Sequence, residues 1–221
     1  MHVQCVSFQR SGHHLLMEHL KRHAWLRYGV GVPPERTANQ WRVGWFTYCE
    51  FYNHCKKTPC IDGALLQKHH DEGARVLPHW VSRPEQKHII QWRHPVNSII
   101  SLFEWKNERI KHYLPWARFA AEQGRMWSKW VLKWVHNNKA EHCFVLSYER
   151  LTTQPLECVN EALQLIGIDE TATPDDLVET KVRQRDLTQW DIAPIVETTR
   201  AVRDLLEIPD EPQTLRETSP D

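Results

Sequence analysis

The sequence lacks a surplus of charge of either sign: Lys and Arg together number 28, Asp and Glu 28, and the formal net charge is zero. Such a chain has no global field to draw it to nucleic acid or to an anionic membrane, so any anion site must be local. Long apolar runs are missing too. No stretch approaches the roughly eighteen apolar residues that cross a bilayer, and the N-terminus opens on strand formers rather than on a basic segment followed by an apolar one. The expectation is a cytoplasmic protein with no stable membrane insertion and no nucleic-acid partner. Six cysteines in 221 residues are too few for a disulfide scaffold, and none forms a CxxC pair of the kind that anchors zinc. Cys49, Cys55 and Cys60 lie with His54 in one segment, which raises a zinc site or a local disulfide. Inert thiols in a loop are the simpler reading, and no metal is expected. Glycine is also scarce, with eight in all, and the nucleotide loop GxxxxGK[ST] is absent.

What is present begins in the first twenty residues. Val3, Cys5, Val6 and Phe8 are apolar and strand-favouring, and they stop at Gln9, Arg10, Ser11 and Gly12. From His13 the period changes: Leu16, Leu20 and Ala24 fall four apart, the repeat of a helix with one buried face. A strand that turns directly into a helix leaves the first helical N–H groups unpaired and facing the turn. Their partial positive charge suits phosphate or sulfate, and Arg10 adds a full charge and a forked donor. On this stretch alone, an ordinary strand-turn-helix fits as well.

The same junction recurs. His88–Trp92 is a short strand followed by Arg93, His94 and Pro95 and then by a helical pattern that carries Ser101 about two turns in. A further strand end is expected at Ala64–Leu66, running into Lys68, His69 and His70. Phe119, Ala120, Trp127, Trp130, Val131 and Trp134 have the spacing of an amphipathic helix. Cys143–Leu146 reads as a strand, and a helix opened by Pro155 and closed by Gly167 follows it. A last helix is expected from Pro194 to about Leu206. The aromatic-rich segment from Trp41 to Tyr52 shows no clear period and is read as an irregular excursion that packs as a cluster or lines a pocket. Strands alternating with helices predict a single α/β domain over residues 1–208, a central parallel sheet flanked by helices, with a disordered tail at 209–221.

Taken together, FQRSGHHLL, QKHHDEG, WRHPVNSIISLFEW and FVLSYERLTTQPLECVNEALQLIGI resemble, in their order, the sulfotransferases that use 3′-phosphoadenosine 5′-phosphosulfate (PAPS). The resemblance runs from about Val3 to Ile168. It implies a P-loop-NTPase-like sulfotransferase fold, PAPS as co-substrate and 3′-phosphoadenosine 5′-phosphate (PAP) as product. It also implies that Arg10, Ser11, Gly12, His13 and His14 hold the phosphosulfate, that Arg93 and Ser101 grip the 3′-phosphate, and that Tyr148 contacts the nucleotide. Lys68 and His70 take the catalytic positions with Arg10. The chain departs from the family where His13 and His14 replace hydroxyl residues and where His69 replaces Thr. The family's C-terminal Arg-Lys-Gly segment is not recognisable, and VRQRDLTQW, with Arg183 and Arg185, is its diverged counterpart at best.

The implied reaction moves a sulfuryl group to a hydroxyl or amine of a small-molecule or carbohydrate acceptor, with His70 as general base. Two alternatives share the anion loop. A P-loop kinase is disfavoured by the missing Lys-Ser/Thr pair, and a catalytically inactive nucleotide-binding relative would explain the altered loop.

Overall fold

Five consecutive residues with no exposed surface, Val3–Ser7, form β1, the strand around which the sheet is built. The structure, a computed structural model, describes residues 3–29, 35–37, 40–50, 65–70, 87–110, 115–137, 142–180 and 185–212. After β1 come α1 (His13–Tyr28), β2 (Glu35–Thr37), β3 (Gln40–Val43), β4 (Phe46–Glu50), β5 (Leu66–His69) and β6 (Lys87–Trp92). They are followed by α2 (Pro95–Ile110), α3 (Trp116–Val131), β7 (Cys143–Ser147), α4 (Tyr148–Thr153), α5 (Pro155–Ile166) and α6 (Ala193–Leu205). Among the described residues the strands form one seven-stranded sheet in the order β2-β3-β4-β5-β1-β6-β7. The pairs from β4 to β7 are parallel, and β2-β3 and β3-β4 are antiparallel.

β1 pairs with β5 on one side and β6 on the other. The connection after β1 leads to the β4-β5 side and the one after β6 leads to β7 on the other side, so the strand order reverses between β1 and β6 and a crevice opens at their carboxyl ends, the usual ligand position in an open α/β sheet. One sheet face packs Val3, Cys5, Leu66 and Ile89 against Leu16, Leu20 and Ala24 of α1 and Val159 and Leu163 of α5. The other packs Val6, Phe8 and Ile90 against Trp127 and Trp130 of α3 and Val202 of α6. Both faces of the parallel strands are covered, which is why neighbouring residues such as Cys5 and Val6, or Ile89 and Ile90, are apolar on opposite faces.

Three expectations needed correction. The segment from Trp41 is not irregular: β3 and β4 form a hairpin whose two-residue turn, between Val43 and Phe46, uses Gly44 at φ 53, a conformation that favours glycine. These strands are short, and pairing with β5 rather than intrinsic propensity orders them. The second strand does not end at Leu66 but runs to His69, so Lys68 lies within the sheet at 7 % exposure. A short helix, α4, comes between β7 and α5, started by the Ser147 hydroxyl accepting from the Arg150 amide. The other helices match the reading closely; α3 continues as a π-helical stretch through His136, and Gly167 ends α5 at φ 89. Cys55, Cys60, His54, Phe51, Tyr52 and Arg183 lie outside the described residues. Cys5 and Cys158 are buried, and burial pushes their thiols up to about 12 and about 11, which leaves them protonated and inert. Pro209 and Asp210 are anchored, by His94 and Arg203 respectively; residues 213–221 lie outside the described residues.

The outer end of α1 is fastened to the loop after α5. Arg27 makes a forked ion pair with Asp176 and also donates to the Thr171 carbonyl. Burial raises the Asp176 carboxyl, but hydrogen bonds from Arg27 and from the Thr173 amide and hydroxyl outweigh it and bring the group down to about 2. A depressed carboxylate contributes stability above its unfolded value near 3.8 and loses it as pH falls toward about 2. Thermal melts between pH 5 and pH 2 should therefore show a steeper loss of Tm in the wild type than in Asp176→Asn. Parallel curves would show that the pair contributes nothing.

Candidate active site

The turn after β1 is strained and pinned. Arg10 has φ 61 and Gly12 φ 77; the former is uncommon for a residue with a side chain, and such outliers gather at functional sites. The Phe8 amide donates to the Gln91 carbonyl at 3.2 Å, and the buried Gln91 amide Nε2 donates to the Ser11 carbonyl at 3.0 Å. The loop is thus tied to β6 from both ends. Gly12 caps α1 without a side-chain hydrogen bond, so the helix start presents its backbone donors. The Ser11 hydroxyl is buried with no hydrogen-bond partner, which is costly unless a ligand satisfies it.

The second junction stands beside the first. Trp127 Nε1 donates to the Arg93 carbonyl at 3.0 Å and holds the β6-α2 turn from below. The Arg93 guanidinium lies 4.1 Å from the Tyr148 ring centroid, a cation–π contact. Glu149, next in sequence, accepts from the His94 amide at 3.2 Å and so joins α4 to this turn; burial pushes its carboxyl up. Tyr148 also lies over Gly12, where a Cβ would enter its ring. One aromatic side chain therefore links both strand-to-helix turns.

Arg10 Nε donates to Ser101 Oγ at 3.2 Å, and Arg185 donates to Glu104 Oε2 from Nη2 at 2.9 Å and from Nε at 3.3 Å. Arg10, Arg93, Ser101, Tyr148 and Arg185 line one open cleft of about 230 Å³ with Glu104, Trp105 and Glu108. Burial lowers the Arg10 guanidinium, and the Arg185 charge adds to this against Glu104 and Glu108. Burial also lowers Arg93; Tyr148 and Glu149 oppose the shift, while Arg185 and Arg10 reinforce it. Arg93 Nε is buried and without a partner. Three guanidiniums that repel one another and are partly desolvated form an arrangement whose natural complement is a multiply charged anion.

At the β1-β5 side, the His70 ring Nδ1 lies 2.9 Å from the Ser7 carbonyl and 3.2 Å from its hydroxyl. A carbonyl only accepts, so the neutral ring carries its proton on Nδ1 and its lone pair on Nε2. Trp130 Nε1 donates to the His70 carbonyl at 3.0 Å. Lys68 Nζ lies 3.0 Å from His14 Nε2, which makes that nitrogen the acceptor and gives Nδ1 the proton. His13 is buried, 6.2 Å from the Tyr48 ring centroid; it packs on the sheet, whereas His14 is exposed.

The sequence reading did not single out Gln91, Glu104, Trp105 or Glu108. Two of them were accessible: Glu104 and Glu108 follow Ser101 at helical spacing on α2 and so share its face. Gln91, a polar residue inside an apolar strand, carried no signal of its contact with Ser11.

Gly12→Ala should be damaging, because the new methyl strains a positive φ and displaces Tyr148. The expected loss is about 1–3 kcal/mol of stability, read by denaturant unfolding. A neutral result would mean that Tyr148 does not rest on this turn.

The fold and cleft define a class: α/β proteins of P-loop-like build whose first strand-to-helix turn faces a cationic crevice. The chain matches the sulfotransferase domain family over residues 2–189 and belongs to it. Among solved structures it resembles mouse sulfotransferase SULT7A1 complexed with PAP, at 18% identity and TM-score 0.52, covering 77% of this chain and 60% of that one. It also resembles a sulfotransferase from Alicyclobacillus acidocaldarius, at 16% identity and TM-score 0.50, covering 90% of this chain and 94% of that one. At these identities the likeness is one of fold, and the chain spans 60% of the mouse protein's chain. No curated protein sequence matches it. No described helix is long and apolar enough to cross a membrane.

Proposed function

We propose that the protein transfers a sulfuryl group from PAPS to a hydroxyl or amine of a small-molecule or carbohydrate acceptor. The observation that carries this reading is the convergence of Arg10, Arg93 and Arg185 with Ser101 and Tyr148 beside the uncapped start of α1. The residues suit a nucleotide with two separated anionic groups. The unpartnered Ser11 hydroxyl and the α1 amides meet the 5′-phosphosulfate, while the unpartnered Arg93 Nε, with Ser101, meets the 3′-phosphate.

In the reaction a bond forms between the acceptor oxygen or nitrogen and sulfur, and the bond from sulfur to the bridging phosphate oxygen breaks. His70 Nε2 takes the acceptor's proton. Lys68 and Arg10, with the α1 amides, stabilise the charge that collects on the bridging oxygen as PAP departs, the electrostatic strategy of phosphoryl transfer. His14 holds Lys68 at 3.0 Å and contributes an imidazole N–H where the family has a hydroxyl. Arg93 and Ser101, bound to the remote 3′-phosphate, fix the geometry at sulfur.

Calorimetry with PAP and with ATP, followed by PAP release from PAPS with an acceptor panel, tests the proposal. PAP binding with PAP release on acceptor addition is expected. Preference for ATP would favour a kinase, and PAP binding without turnover across hydroxyl and amine acceptors would favour an inactive relative.

A further inference from the structure

An anion site gains nothing from carboxylates on its own wall, yet α2 places Glu104 and Glu108 there, one turn apart, beyond Ser101. Glu104 is paired: one of its oxygens, Oε2, accepts from both Nε and Nη2 of Arg185, whose side chain is 8% exposed. That side-on grip uses two of the guanidinium's five donors and leaves three for a ligand. Arg185 directly follows residues outside the described chain and precedes a short 3-10 turn, Leu187–Gln189. Among the described residues Glu104 is the side chain that Arg185 hydrogen-bonds. Arg10 and Arg93 face the same cleft, so like charges push Arg185 out of the position in which it would help bind an anion.

We infer that Glu104 is a positioning residue, which holds Arg185 in the cleft against repulsion from Arg10 and Arg93 and so tightens nucleotide binding although it is itself an anion. The inference rests on the reading of this cleft as the PAP(S) site. It makes the sign of one substitution diagnostic. If Glu104 only lined the cleft, Glu104→Gln would remove a negative charge from an anion site and improve PAP affinity. If it positions Arg185, the same change weakens binding. Glu108, which lines the same cleft and is not shown bonded to Arg185, supplies the contrast.

The experiment is PAP titration of the full chain by calorimetry for the wild type, Glu104→Gln, Glu108→Gln, Arg185→Ala and the Glu104→Gln/Arg185→Ala double variant. Each protein is first checked by thermal melt, and Glu104→Asp is added as a variant that retains the carboxylate. Expected are a several-fold rise in Kd for Glu104→Gln, a partial return for Glu104→Asp and a modest fall for Glu108→Gln. The double variant should bind no worse than Arg185→Ala, as required when one residue acts through the other. Tighter or unchanged binding in Glu104→Gln, equal weakening by both Gln variants, or additive losses in the double variant would overturn it. A wild type that does not bind PAP would instead remove the nucleotide reading on which the inference stands.

Discussion

Turnover of PAPS in His70→Ala is expected to fall by about 10² or more, with PAP affinity nearly unchanged. The ring sits one residue beyond β5, with Nδ1 held by the Ser7 carbonyl at 2.9 Å, so its basic nitrogen is presented rather than free to change tautomer. The backbone anchor at this position, from Trp130 to the His70 carbonyl, does not depend on the side chain. The alanine variant should therefore keep its fold, and the loss should appear in kcat. Equal losses in kcat and in PAP affinity would make His70 a structural residue of the nucleotide pocket. Ser7→Ala keeps the carbonyl and should cost much less, because it removes only the longer contact at 3.2 Å.

Arg93→Ala should do the reverse, weakening PAP binding while sparing the free protein. A hydrogen bond from a charged group contributes about 1.5–3 kcal/mol, so Kd should rise roughly tenfold to a hundredfold. Arg93 is 9% exposed, and burial disfavours its charge in the folded chain, opposed by Tyr148 and Glu149 and reinforced by Arg185 and Arg10. Its removal therefore relieves repulsion, offset by lost packing on Tyr148. The melting temperature without ligand should change little, while the rise in Tm on adding PAP should shrink markedly. Arg93→Lys keeps the charge without the fork and should fall between the two. Unaltered PAP affinity in Arg93→Ala would refute the 3′-phosphate assignment.

Arg10 and Arg93 were legible in the sequence because each lies where the hydrophobic period switches from two to 3.6, and that switch marks the carboxyl end of a strand whatever the rest of the chain does. The parallel sheet was legible for a related reason: strands buried on both faces carry adjacent apolar residues instead of strict alternation, as at Cys5–Val6 and Ile89–Ile90. The hairpin β3-β4 was not. Its strands have four and five residues, and their order comes from pairing with one another and with β5, which no local window records. Lys68 was placed beyond its strand for the same reason, since a charged residue inside a central strand contradicts every local rule except service to a site. Arg185 was visible only through a family resemblance, and its partnership with Glu104 joins positions too far apart in the chain for spacing to reveal.

The most direct measurement is a crystal structure of the protein with PAP. The expected result is the 5′-phosphate on the amides at the start of α1 beside Ser11, and the 3′-phosphate between Arg93 and Ser101, with Tyr148 alongside. PAP bound elsewhere on the molecule, or seated in this cleft with neither phosphate on those groups, would contradict the account.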